Sequence, residues 1–275
     1  MKKVFGILMT LVLCLGLTAC GGSSDDAAAN VSGKVSLNGS TSMEKFVNAL
    51  SEAITEEYPD LQLEAQFTGS SAGLEALASG STDIGDSSRA LSDEEKSSGL
   101  VENIVAIDGI AVITNTSNKV EGLTTDQLKQ IYTGAITNWK DLGGDDQAIV
   151  VMGRESGSGT RGAFEEILEI EDQCAYAQEL NETGAVVAKV AETEGAIGYV
   201  SLDNVDDTVA AMKLDDVEAS EETVKDGSYT LQRPFVMATK GEIKEQSEAV
   251  QAVFTFLESE AGQKVLEAVG LVSPK

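Results

Sequence analysis

Histidine is absent from all 275 residues of the chain. Its absence removes the commonest general base and the commonest metal ligand, and weakens most enzymatic readings before any motif is considered. Cysteine is scarce, at positions 14, 20 and 174 only. Cys14 falls in an N-terminal leader and Cys20 directly after it, which leaves Cys174 alone. No internal disulfide is then possible and no cysteine-based metal site is suggested, so Cys174 reads as a structural or inert thiol. Basic residues are also few, 19 Lys and Arg against 46 Asp and Glu, a formal net charge of −27. That balance argues against nucleic acid as a partner. It also repels free small anions at long range, although salt screens the repulsion within about 8–10 Å. An anion site on this chain has to work through local donors. Proline occurs three times against 27 glycines, which suggests many tight turns.

The chain is long enough for two domains, or one large one, with real cores, and its 42% apolar content fits a soluble globular protein. The first residues stand apart. Lys2 and Lys3 precede an apolar run from Val4 to Leu17, which reads as a secretory signal too short for a membrane span. The run ends Leu17-Thr18-Ala19-Cys20, which resembles the lipobox of bacterial lipoproteins. That resemblance implies a signal peptide over 1–19, cleavage before Cys20, and a lipid on Cys20 that anchors the protein to the membrane. An ordinary signal peptide with a chance cysteine is the alternative. Residues 20–30 are small and polar and read as a tether. The part beyond the leader holds 17 basic and 46 acidic residues, a net of −29.

Strand and helix patterns then alternate. Val35–Leu37 reads as a strand, and Phe46, Val47, Leu50, Ala53 and Ile54 fall on one helical stripe, with Thr41 and Glu44 at capping-box spacing. Leu61–Phe67 alternates as a half-buried strand. A helix carries Leu74, Leu77 and Ala78, and Ser92 with Glu95 opens another. Asn103–Thr114 and Phe235–Thr239 read as long strands, Ile149–Met152 and Ala196–Val200 as shorter ones. Helices are expected over Thr124–Tyr132, around Phe164, Ile167 and Leu168, over Ala185–Glu192, and twice near the C-terminus. The alternation predicts an α/β fold with helices on both faces of mainly parallel sheets.

One pattern recurs at strand ends. Gly39-Ser40-Thr41-Ser42, Gly69-Ser70-Ser71 and Gly157-Ser158-Gly159-Thr160 each lead into a helix, and Ser87-Ser88-Arg89 forms a further hydroxyl-rich loop. A helix start offers unpaired N–H groups and the positive end of its dipole. Glycine allows close approach and hydroxyls add donors, so such turns make an anion site without net charge. They lie at the carboxyl ends of strands, where open α/β sheets bind ligands. Ordinary N-capping also accounts for any one of them. Arg154 and Arg161 flank the third turn. Guanidinium suits bidentate contact with a tetrahedral oxyanion, and pairing with Glu155 or Glu165 is the alternative for each.

Other motifs carry less. No lysine follows the last glycine as a P-loop requires. Gly69-Ser70-Ser71-Ala72-Gly73 matches G-x-S-x-G formally, but a Ser-His-Asp triad needs a histidine, and no lysine accompanies a serine suggestively. Asp83, Asp86 and Asp108 stand open between acceptors and surface charges, and make a poor metal site. Trp139 reads as packing. No catalytic residue, metal or cofactor is expected.

The segments NGSTSMEKF, FTGSSAGLEAL, DIGDSSRALSDEE, TGAITNWKDLGG, GRESGSGTRGAFEE, GAIGYVSL, RPFVMATKGE and FLESEAGQKVLEAVG occur in that order. In this order and behind a lipobox, the chain resembles the phosphate-binding lipoproteins of bacterial ABC-type phosphate import, the PstS-like group, over residues 35 to 272. The acidic composition and lipid-anchored start look like its Gram-positive branch. The resemblance implies a two-domain type II periplasmic-binding-protein fold closing on its ligand like a hinged clamp. Domain I would hold 31–110 and 236–275, domain II 111–235, with crossing strands near Asp108–Thr114 and Arg233–Thr239. It implies inorganic phosphate as ligand, the permease subunits of an ABC importer as partners, an extracytoplasmic location and a monomeric state; a receptor for another tetrahedral oxyanion (sulfate, molybdate or a phosphonate) is the alternative, and a surface phosphatase-like enzyme a further one. Carried over by position, the phosphate-binding residues would be Thr41, Ser42, Ser70, Ser88, Arg154, Ser158, Gly159 and Thr160. Better-known members place a carboxylate, which accepts the proton of hydrogen phosphate, where this chain has Ser88. Asp86, Asp83 or Ser88 itself is left to take that part.

Overall fold

Parallel pairing of β1 (Ser32–Gly39) with β2 (Asp60–Phe67) begins the fold, with α1 (Glu44–Glu57) crossing between them. The computed structural model describes residues 31–274, so the expected signal peptide, the Cys20 lipid site and the tether lie outside the described residues. The predicted stripe of α1 buries Phe46, Val47, Leu50 and Ile54, while Ala53 is only half-buried. The Thr41–Glu44 capping box does not form. A 3-10 turn over Thr41–Met43 precedes α1, and the Ser40 side chain, one residue earlier, already accepts from the Ser42 amide.

Next come α2 (Ser70–Ser79), β3 (Ile84–Ser87) parallel to β1, α3 (Asp93–Ser97) and β4 (Leu100–Val101). Ser92 and Glu95 make the predicted capping box of α3. Gly73 lets α2 lie against the end of β1: a Cβ there would stand 2.2 Å from the Asn38 carbonyl oxygen. The long strand β5 (Ile104–Asn115) is buried along most of its length, as an apolar run covered on both faces should be.

The middle of the chain adds β6 (Gly122–Leu123), α4 (Thr125–Tyr132), β7 (Val150–Arg154), α5 (Gly159–Leu168) and β8 (Gln178–Leu180). There follow α6 (Thr183–Glu192), β9 (Ala196–Ser201), β10 (Val209–Ala211), β11 (Lys213–Leu214) and α7 (Glu221–Lys225). The chain closes with β12 (Gln232–Lys240), α8 (Glu248–Glu258) and α9 (Glu260–Ala268).

The main sheet runs β2-β1-β3-β12-β5-β9-β7-β8. It is mixed rather than mainly parallel. β12 lies antiparallel to both β3 and β5, and β5 antiparallel to β9, because the two long strands run against their neighbours. The β12–β5 register shifts between Phe235 and Val236, a bulge at the point where β12 turns toward β3.

Four apolar clusters cover the sheet. One packs α1, α8 and α9 around Phe46, Leu50, Phe235 and Phe256, and a smaller one sets Leu74 and Leu77 against Val236 and Ala238. Both draw on residues 35–106 and 235–271. The other two draw on residues 110–231, and β5 feeds them alternately, Ile110 and Val112 into one, Ala111 and Ile113 into the other. Full burial of each large aliphatic side chain contributes about 1.5–3 kcal/mol. Trp139 is buried in the larger of these two and donates to the Gly195 carbonyl at 2.9 Å, the packing role expected of it. Among the described residues no helix is long and apolar enough to cross a membrane.

Candidate functional site

Four helix starts meet at one buried cluster of hydroxyls. The 3-10 turn before α1 brings Thr41 and Ser42, α2 brings Ser70, α5 brings Thr160 and α6 brings Thr183. Ser42 Oγ lies 2.8 Å from Thr160 Oγ1 and 3.0 Å from Thr183 Oγ1, and Thr41 Oγ1 lies 3.0 Å from Thr183 Oγ1. Ser40 Oγ donates to Ser88 Oγ at 2.9 Å. Ser88 Oγ in turn lies 3.4 Å from Ser70 Oγ and 3.5 Å from Thr160 Oγ1. None of these residues is more than 6% exposed. A helix start carries the positive end of its dipole, although here the Ser42 and Arg161 N–H groups already donate to Ser40 Oγ and Ser158 Oγ.

Gly159 sits at the tightest point. A Cβ there would stand 2.4 Å from Ser70 Oγ and 2.8 Å from Ser88 Oγ, so only glycine lets α5 approach these hydroxyls. Ser158 is buried beside it as the N-cap of α5, its Oγ accepting from the Arg161 amide.

Two buried guanidinium groups flank the hydroxyls. Arg154, at the end of β7, donates from Nη1 to Thr183 Oγ1 at 3.1 Å and from Nη2 to Thr41 Oγ1 at 3.0 Å. The carbonyls of Leu180 and Asn181 and the Glu155 carboxylate hold the rest of its fork. Arg233, on β12, donates from Nη1 to Thr160 Oγ1 at 2.7 Å and to the Ser88 carbonyl at 2.9 Å. Its counter-ion is Asp108 on β5, at 2.9 Å, with both side chains 1% exposed. Burial lowers the proton affinity of Arg233 and the Asp108 charge opposes this.

Of the residues expected at the site, Thr41, Ser42, Ser70, Ser88, Arg154 and Thr160 are linked here by hydrogen bonds, and Gly159 by contact. Ser158 stays at its cap. Sequence reasoning missed Ser40, Thr183 and Arg233. Thr183 stands in Asn181-Glu182-Thr183-Gly184, where no glycine precedes the hydroxyl, and the helix starts at Thr183, two residues before the expected Ala185. Arg233 carries no local signal, since strand crossing alone brings it to Thr160. Arg161 pairs with Glu165 and Glu179, and Arg89 is held by Glu95, so neither donates to the hydroxyl cluster among the described contacts.

The carboxylates differ in placement. Asp83 is exposed and bonds the Ser36 amide and hydroxyl, away from the cluster. Asp86 is fully buried on β3, and neither side-chain oxygen has a hydrogen-bond partner among the described residues. Burial pushes its carboxyl well above the usual carboxylate range. Asp86 and Asp108 are thus not surface charges. Burial also pushes the Cys174 thiol up to about 11, in keeping with an inert thiol.

Comparison with known proteins agrees with the geometry. A PBP superfamily domain matches residues 24–261. The phosphate-binding protein PstS of Bacillus subtilis is 33% identical over 258 residues, 88% of this chain and 85% of the relative. A phosphate ABC transporter substrate-binding protein from Clostridium perfringens, solved with bound phosphate, superposes with a TM-score of 0.85 at 42% identity, over 88% of this chain and all of that one. An ABC-type phosphate transport receptor from Vibrio cholerae gives a TM-score of 0.73 at 31% identity, with the same coverage. With a family model matching residues 24–261 and a relative 33% identical over 88% of its length, the chain belongs to the PBP superfamily, in its PstS-like group.

Proposed function

We propose that the protein binds inorganic phosphate between its two halves and delivers it to the membrane subunits of an ABC importer. The observation that carries this reading is the buried ring of hydroxyls drawn from both halves and flanked by Arg154. Such a ring offers many short donors to a tetrahedral oxyanion while adding little net charge. The ligand set is Thr41, Ser42, Ser70, Ser88, Arg154, Ser158, Gly159 and Thr160, with Ser40 and Thr183 beside them. The halves act as two domains, 31–110 with 236–275 and 111–235, hinged on β5 and β12. No chemistry is done on the ligand. The protein works as a monomer outside the cytoplasm, held to the membrane by a lipid on Cys20. The names of its relatives support the ligand and the importer; the anchor rests on the lipobox alone.

Calorimetric titration of the purified protein with phosphate and with sulfate tests the reading. Phosphate is expected to bind more tightly, and at about 100 times its Kd to add about 2.7 kcal/mol of stability. Tighter binding of sulfate would overturn the choice of ligand. Turnover of a phosphomonoester would overturn the receptor reading.

A further inference from the structure

Behind the hydroxyl cluster, on the hinge side, a buried carboxyl, Asp108, and a half-buried one, Asp203, share one hydroxyl. Ser201 Oγ lies 2.8 Å from Asp108 Oδ2 and 2.6 Å from Asp203 Oδ1. A hydroxyl has one proton, so it donates to only one of the two. The other short contact is favourable only when that carboxyl itself holds a proton, so this geometry suits the protonated pair, which is only partly populated in the free protein at mildly alkaline pH. Asp108 Oδ2 also accepts from Arg233 Nε and Nη2, which marks it as the ionised partner. Asp203 Oδ1 accepts from the Asn204 side chain, while Asp203 Oδ2 and Asp108 Oδ1 are buried without partners among the described residues.

We infer that Asp108 and Asp203 are a proton-holding pair, which takes up a proton from solution when an anion occupies the hydroxyl cluster. The inference rests on the phosphate reading above. Arg233 is the connection: it spans from Asp108 to Thr160 Oγ1 and the Ser88 carbonyl. An anion beside Thr160 and Ser88 draws on the field of Arg233, so the carboxyl pair loses part of its counter-charge and binds a proton more tightly. The charged and titratable groups around the pair are Arg233 on β12, Lys45 on α1, which donates to the Asp203 carbonyl, Tyr229 before β12, and Arg154, which acts on Arg233. Burial, opposed by the Arg233 charge, pushes Asp108 up to about 6, and burial likewise raises Asp203. Proton uptake on binding means that affinity strengthens as pH falls toward that range. This arrangement gives the site a way to take a dianion although no carboxylate stands at position 88.

The experiment is calorimetry of phosphate binding in a series of buffers with different ionisation enthalpies. It is run at one mildly alkaline pH, where phosphate is the dianion. The slope of observed heat against buffer enthalpy counts protons taken up. The wild-type protein is expected to take up a positive fraction, at most about one proton per anion, and Asp203→Asn less than about half of that. A zero slope in the wild type, which needs no variant, would overturn the inference while leaving phosphate binding intact. An unchanged slope in a folded Asp203→Asn, checked by its melting curve, would overturn it too, because the proton would then belong to the ligand. No binding heat in any buffer would overturn both this and the phosphate reading.

Discussion

Ser42 and Thr160 stand 118 residues apart in sequence, yet their hydroxyl oxygens lie 2.8 Å apart in a buried contact. Ser42 belongs to the turn before α1 and Thr160 to the first turn of α5, so the bond joins elements built on opposite ends of the sheet. Thr41 with Thr183, and Arg154 with Thr41, repeat the link. A ligand held here, as proposed, would touch elements from both ends of the sheet at once.

Arg154→Ala removes the guanidinium that reaches Thr41 and Thr183. Charge-assisted hydrogen bonds contribute about 1.5–3 kcal/mol each, so a loss of about 10- to 150-fold in phosphate affinity is expected. Arg89→Ala, which breaks a bond to Glu95 instead, is expected to stay within about twofold. Titration calorimetry of both variants checks this; equal losses would mean that the site is misplaced.

Gly159→Ala puts a methyl group into the hydroxyls of Ser70 and Ser88. Phosphate affinity is expected to fall by more than about tenfold, or 1.4 kcal/mol. The ligand-induced rise in Tm should shrink accordingly. Retention of wild-type affinity would show that α5 does not need to approach α2 for binding.

Arg233→Met leaves Asp108 buried without its counter-ion. Breaking a buried pair from one side costs about 3–5 kcal/mol, whereas replacing both partners with apolar groups is far milder. Urea unfolding should therefore find Arg233→Met with Asp108→Leu more stable than Arg233→Met alone. Additive losses would indicate that the pair is not coupled in this way.

Asp86 bears on stability against pH. Burial raises its carboxyl above the unfolded value. Its contribution is thus fully present below the unfolded value of about 4 and is lost as pH rises toward the folded value. Within that window the loss approaches about 1.4 kcal/mol per pH unit. Asp86→Asn is expected to remove this slope, so urea unfolding from acid to neutral pH should favour the variant progressively. Parallel wild-type and variant curves would contradict it.

Much of this was legible in the sequence because it is written locally. The cap of α3 at Ser92, the stripe of α1 and the long apolar strand β5 follow from periodicity and capping chemistry. Ser40 displaced Thr41 as the cap because capping residues stood side by side and local chemistry does not rank them. The antiparallel runs of β5 and β12 were not legible, since strand direction depends on how the chain returns. Arg233 with Thr160, and Asp108 with Asp203 through Ser201, join positions with no common periodicity. Tertiary placement brings them together: β5 pairs with β9 and sets Asp108 beside Ser201, and β12 carries Arg233 to the start of α5.

The hydroxyls that link the two ends of the sheet are the same ones that would hold an anion, and each can donate or accept. Ligand capture is then an exchange of partners, in which hydroxyl-to-hydroxyl bonds give way to hydroxyl-to-anion bonds in similar number. What drives it is only the difference in strength between neutral and charge-assisted bonds, roughly a factor of two per bond. A grip built on differences tightens without becoming irreversible, and whatever pulls the halves apart loosens every bond together. A carrier that must surrender its cargo at a membrane gains from that shared dependence.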